Sequence, residues 1–269
     1  MADEPADYPI IDSHIHLYPA SEVETLAWYE PSNPLHGQHS LNEYTTATGS
    51  PSSFVGFIFL ETDRKHDLKS GVKDGTGWTF PLMEVDWLKR IALGTPKAGE
   101  GHTAEQKKLC LAIVPWAPVP SGAEALERYV GEVEKHAEGS FGKIRGFRYL
   151  VQDKPKGTML QDEFIEGLKW LGKKGFVFDL GVDQHGGGKW QLEEAVEMIE
   201  NAHEGVDEEE KVTFIISEFS SLTFPRMIRL KILQTIYANP TYRCITRRIQ
   251  SSLHGEQQYS NSANAARRS

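Results

Sequence analysis

Cys110 and Cys244 are the only cysteines in 269 residues. So few thiols exclude a disulfide framework and a cysteine-rich zinc module. No apolar run approaches the roughly 20 residues needed to cross a bilayer, and the acidic opening MADEPADYP lacks the features of a secretory leader. The expectation is a cytoplasmic protein with no membrane partner. No basic face dominates the first two hundred residues, and the net charge is −9. Nucleic acid is therefore not an expected partner, since its phosphates call for clustered Lys and Arg. A Gly-rich turn directly after the first apolar run, the mark of a dinucleotide fold, is also missing.

In the place of that turn stands Ile10-Ile11-Asp12-Ser13-His14-Ile15-His16. Side chains at i and i+2 of a strand point to one face, so His14 and His16 project together. Paired imidazoles on a rigid strand can bind a divalent metal or hold a polar substrate. The competing reading is a solvated strand face. It ranks lower, because Pro9-Ile10-Ile11 reads as a buried strand from which the histidines emerge.

Five more apolar runs read as strands: 54–61, 109–116, 144–150, 176–182 and 212–216. Helical patterns separate most of them, near 82–93, 122–137, 161–173 and 191–202. Ser121 with Glu124 reads as a capping box, and Lys173-Lys174-Gly175 as a helix stop. Residues 31–53 read as one long loop, and a Gly- and Lys-rich loop follows the second strand. Apolar strands alternating with amphipathic helices indicate a parallel sheet, either doubly wound and open or closed as a (β/α)8 TIM-type barrel. Catalytic residues of a barrel sit at the C-terminal strand ends. His14, His16, Glu61, Arg148 and His185 all fall at such ends, which favours the barrel. His36, His39, His66 and His102 read as solvent-facing loop residues, and His136 and His203 as helix-end residues.

The D-S-H-I-H opening, the stretch G-K-I-R-G-F-R-Y-L-V-Q at 142–152 and F-D-L-G-V-D-Q-H at 178–185 together resemble the amidohydrolase superfamily. The resemblance is to its amidohydrolase-related branch, which includes sugar lactonases and decarboxylases, and it covers residues 8–216. It implies an α/β (β/α)8 barrel with a hydrolytic site at its top, most simply a lactonase opening a lactone ring. A lactone or sugar-acid derivative is then the small-molecule substrate. His14 and His16 match the first-strand pair that ligates a metal or contacts substrate. Arg145 and Arg148 fall in the fourth-strand arginine motif and imply substrate binding. Arg148, two positions beyond Gly146 toward the top, is preferred, while Arg145 is balanced against a rim salt bridge. His185 is implied as a catalytic ligand or proton carrier, against an ordinary loop histidine. The resemblance implies zinc or manganese as cofactor, with a metal-independent site as the other expectation, and leaves an oligomer open.

Two residues that the resemblance calls for are absent, a histidine ending the sixth strand and an aspartate at an eighth. Ile215-Ile216-Ser217-Glu218-Phe219 holds no histidine, and residues 219–269 hold no aspartate. Residues 1–217 carry a net −15 and residues 218–269 a net +6. The reading is a partial barrel of about six βα units over 8–216, truncated there, followed by an atypical basic, poorly ordered tail over 217–269. Within that tail 224–237 reads as a basic amphipathic helix and 255–269 as disordered. A splice-donor-like codon context at Ser217-Glu218 suggests that the tail is not genuine coding sequence. The alternatives to a lactonase are a decarboxylase of the same superfamily, or an inactive fragment acting as a binding module.

Overall fold

A computed structural model describes residues 8–183 and 188–217. The expectations for 218–269, both the tail helix and its disorder, lie outside the described residues. The six expected strands are present as β1 (Ile10–Ile15), β2 (Phe54–Leu60), β3 (Cys110–Val114), β4 (Gly146–Arg148), β5 (Val177–Gly181) and β6 (Thr213–Ser217). Two three-stranded sheets, β1-β2-β3 and β4-β5-β6, are parallel throughout. Parallel bridges Ile113–Ile144 and Trp116–Arg148 join them, so the strands lie side by side in chain order.

Parallel neighbours need a crossover, usually a helix. Here α3 (Thr79–Leu93), α4 (Gly122–His136), α5 (Asp162–Lys173) and α6 (Trp190–His203) supply the crossovers from β2 to β6. Each turns an apolar stripe inward. On α4 the buried residues are Ala125, Leu126, Tyr129, Val130 and Val133, the spacing of one helical face. Strand residues on the helix side meet these stripes through edge-on aromatic contacts. Phe59 packs on Trp87 at 6.4 Å and Phe164 on Phe178 at 6.0 Å between ring centroids, a favoured geometry for ring quadrupoles.

Two expected loops contain helices. Within 31–53 lies α1 (Leu41–Thr48), started by a true capping box between Ser40 and Glu43 and closed by Gly49 in the left-handed region. The Gly- and Lys-rich stretch contains α2 (Leu68–Asp74), capped by Asp67, which accepts from the Ser70 amide. Gly71 there is a packing residue: a Cβ would lie 2.2 Å from Trp78 Nε1. The expected cap at Ser121 does not form. Its backbone continues from a turn in which the Ser121 amide bonds the Pro118 carbonyl, leaving the hydroxyl no capping role.

The loop after β2 is fixed from below. Arg64, wholly buried, pairs with Glu22 at 3.1 Å and Glu84 at 3.2 Å and donates to the Glu22 carbonyl at 3.0 Å. The Ala27 amide bonds the Asp63 carbonyl at 2.8 Å, and Trp28 Nε1 bonds the Thr62 carbonyl at 3.1 Å. A buried arginine holding two carboxylates fixes geometry more than it adds stability. The geometry fixed here is that of the segments following β1 and β2.

Candidate active site

His14 lies near the end of β1, and His16 just beyond it. Asp12 anchors the strand by accepting from the His14 amide at 3.2 Å and from the Tyr44 hydroxyl at 2.9 Å. The two imidazoles meet with Nε2 atoms 3.0 Å apart. His16 Nδ1 donates to the carbonyls of Glu61, at 2.8 Å, and Leu60, at 3.2 Å. A ring nitrogen facing a carbonyl must carry the proton, so Nε2 of neutral His16 holds the lone pair. His16 keeps an exposed edge although protein surrounds it closely. Burial first, then Arg148, pushes its pKa down to about 4, against the two carbonyl bonds. Burial, His16 and Arg148 in that order push His14 to about 3. Both rings are neutral at ordinary pH.

Beside them Arg148, at the end of β4, lies between two acids. Its Nε is 3.4 Å from Asp179 Oδ1 on β5 and 3.6 Å from Glu61 Oε1 beyond β2. All three side chains are buried. A Cβ on Gly181 would come within 2.9 Å of Arg148 Nη2, so that glycine makes room for the guanidinium. Nη1 and Nη2 make no hydrogen bond among the described residues. Burial lifts the Glu61 carboxyl to about 8, against the opposing pull of Arg148. Its Oε2 also accepts from the Asp63 amide at 2.5 Å.

Of the residues singled out in the sequence, His14, His16 and Arg148 come together. Arg145 does not join them: it is exposed just before β4, at the end opposite Arg148, and its backbone bonds the Ile113 carbonyl and the Val177 amide. His185 lies outside the described residues. Asp179 escaped the sequence reading, although an aspartate inside the apolar run FVFDLGV was the available signal. His102 is buried rather than solvent-facing, 3.3 Å from Glu100 and against Trp87, because its loop folds back onto α3.

Two imidazole nitrogens each about 2.0–2.1 Å from one ion lie about 3–3.4 Å apart, a separation that His14 and His16 would match once the proton shared between their Nε2 atoms is lost. Among the described residues no group of three or more His, Cys, Asp or Glu could hold a metal. A polar depression of about 490 Å³ lined by Gln38, Asn42, Lys97 and His102 lies elsewhere and carries none of these residues.

No family model matches the chain. It is 39% identical over 193 residues to L-rhamnono-gamma-lactonase of Scheffersomyces stipitis, a match covering 71% of this chain and 56% of that protein. The chain thus spans little more than half the length of this curated relative. Among solved structures, amidohydrolase 2 from Bifidobacterium longum subsp. infantis is 17% identical, over 76% of this chain and 66% of that one, with a TM-score of 0.44. An amidohydrolase from Burkholderia multivorans with bound zinc is 20% identical, over 72% and 54%, with a TM-score of 0.44. Over 71% of its length the chain is thus similar to a protein named as a lactonase.

Proposed function

We propose that residues 8–216 form six units of a (β/α)8 barrel whose top carries a lactone-opening hydrolase site, with 217–269 a separate segment. The observation that carries this reading is the convergence of His14, His16, Glu61 and Arg148 from the C-terminal ends of β1, β2 and β4. Strands paired in chain order, with helical crossovers, support the barrel, and the relative's name supports the reaction class.

His14 and His16 would hold a zinc or manganese ion, which when bound supplies Lewis-acid polarisation of the carbonyl and a more acidic water. Arg148, fixed by Asp179 and Glu61, presents Nη1 and Nη2 to the lactone carbonyl oxygen, where negative charge grows as water adds. Glu61, protonated at neutral pH, gives its proton to the ring oxygen as the acyl C–O bond breaks. The proton released by the attacking water restores the carboxyl. Lactone and water leave as one hydroxy acid.

The test is acid release from L-rhamnono-γ-lactone by the purified chain, with and without zinc or manganese. Activity is expected, falling to background in His14→Ala and His16→Ala, and by about 100-fold or more in Arg148→Met. A cooperatively folded protein that leaves the lactone intact under every metal condition overturns the proposal and favours a non-catalytic fragment.

A further inference from the structure

The loop after β2 holds its most unusual residue directly beside the proposed site. Asp63 has φ +54°, a left-handed conformation rare for a residue with a side chain. Its backbone is held at both ends: the amide bonds Glu61 and the carbonyl receives the Ala27 amide. Its half-buried carboxylate has no hydrogen bond or ion pair among the described residues, and burial raises its pKa, with Asp153 adding to the rise and Lys154 and Arg148 opposing it. Strain of this kind persists where surrounding structure enforces it, and it gathers at ligand-binding sites.

Three residues on, His66 lies half-buried on an aromatic base. Its ring is 4.6 Å from Trp116, which follows β3, and 6.1 Å from Tyr149, which follows β4. Its Nδ1 donates to the Arg64 carbonyl at 2.9 Å, so Nε2 of the neutral ring is an acceptor. That nitrogen has no hydrogen bond among the described residues. Lys154 borders the group, over the Tyr149 ring at 5.7 Å. Three loops from one end of the sheet thus place a carboxylate and an imidazole acceptor, both unengaged, on a rigid support next to Arg148.

We propose that Asp63 and His66 form the subsite that selects hydroxylated substrates, the Asp63 carboxylate and His66 Nε2 accepting hydrogen bonds from ring hydroxyls of a polyhydroxy lactone. This rests on the lactonase reading and adds a specificity determinant to it. The two acceptors match the hydroxyl donors of a sugar-derived ring. An unsubstituted lactone has no donor for them, and burying either acceptor without one is costly. The competing explanation is conformational: aspartate merely tolerates the left-handed backbone. Asparagine and glycine tolerate it too, so they separate the two.

The experiment compares wild type, Asp63→Asn, Asp63→Gly and His66→Phe for kcat/KM on L-rhamnono-γ-lactone and on γ-butyrolactone. The ratio of the two is expected to fall about tenfold or more in each variant. An unchanged ratio in folded Asp63→Asn or Asp63→Gly, or failure of both to fold, makes Asp63 structural and overturns the subsite. If wild type hydrolyses neither lactone, the lactonase reading fails by itself. Calorimetric titration with L-rhamnono-γ-lactone then decides the subsite. Binding at least tenfold weaker in Asp63→Asn supports it, whereas equal affinity or no binding to wild type overturns it.

Discussion

Glu61 is an acid whose charged form the fold disfavours, and His14 and His16 are bases whose charged forms it disfavours. The two kinds pull stability in opposite directions with pH. Between its ordinary 4.5 and about 8 the Glu61 carboxyl keeps its proton when folded and loses it when unfolded. Over that range the folded state binds more protons, so stability falls as pH rises. The histidines do the reverse: from about 3–4 up to 6.5 the unfolded chain binds more protons and stability rises with pH. Above 6.5 only the Glu61 contribution of these three remains. The thermal midpoint is therefore expected to decline from pH 6.5 to 8, and Glu61→Gln, which cannot ionise, should make that decline shallower. Midpoints measured by circular dichroism at half-unit pH steps check this; parallel curves for the two proteins would refute it. At this scale the sequence was legible where chemistry repeats along one strand, as in His14 and His16. Asp179 and the Glu61–Arg148 contact depend on which strand ends come together, which spacing within one segment does not encode.

At the scale of elements, the strands were legible to within about two residues, because burial on both faces of a parallel sheet leaves unbroken apolar runs. The short α1 and α2 were not, since capping by Ser40 and Asp67 defines them more than any apolar period. β4 is the shortest strand described, and its position depends on Gly146. A Cβ there would sit 2.3 Å from the Val177 carbonyl oxygen and from Val177 Cγ2, across the β4–β5 pairing of Gly146 with Val177. Backbone cannot yield as a flexible side chain would, so Gly146→Ala must part β4 from β5 and draw Arg148 away from Asp179. The expected cost is about 1–3 kcal/mol, read from urea unfolding. Faster amide exchange is expected at Val177, whose N–H bonds the Arg145 carbonyl. Gly142→Ala, with open space around the added carbon, is the control. Equal stability of the two variants would show that β4 is not held by this close approach.

At the scale of the whole molecule, the described strands, neighbours in chain order, form a sheet with two terminal edges among the described residues. Among the described residues β1 pairs only with β2, and β6 only with β5. Each edge strand shows an exposed isoleucine, Ile10 at 45% and Ile215 at 40%. Tyr8 and Val55 extend the apolar surface beside Ile10. Natural sheets protect their edges with charge, proline or cover, since unpaired N–H and C=O groups beside apolar side chains template association. The net charge of −9 opposes self-association over long range, but salt screens it beyond about 8 Å at physiological strength, well short of a whole-molecule span. Association is thus expected to rise with both protein and salt concentration. Lysine at either edge position should reduce it, because an ammonium beside the open ladder must be desolvated before a second strand can dock. Stability should change little, since exposed positions shift it by about 0.5 kcal/mol or less. Sedimentation velocity on wild type, Ile10→Lys and Ile215→Lys across a salt series measures the effect. If both lysine variants associate as wild type does while melting at the same temperature, the edges are not the contact surface.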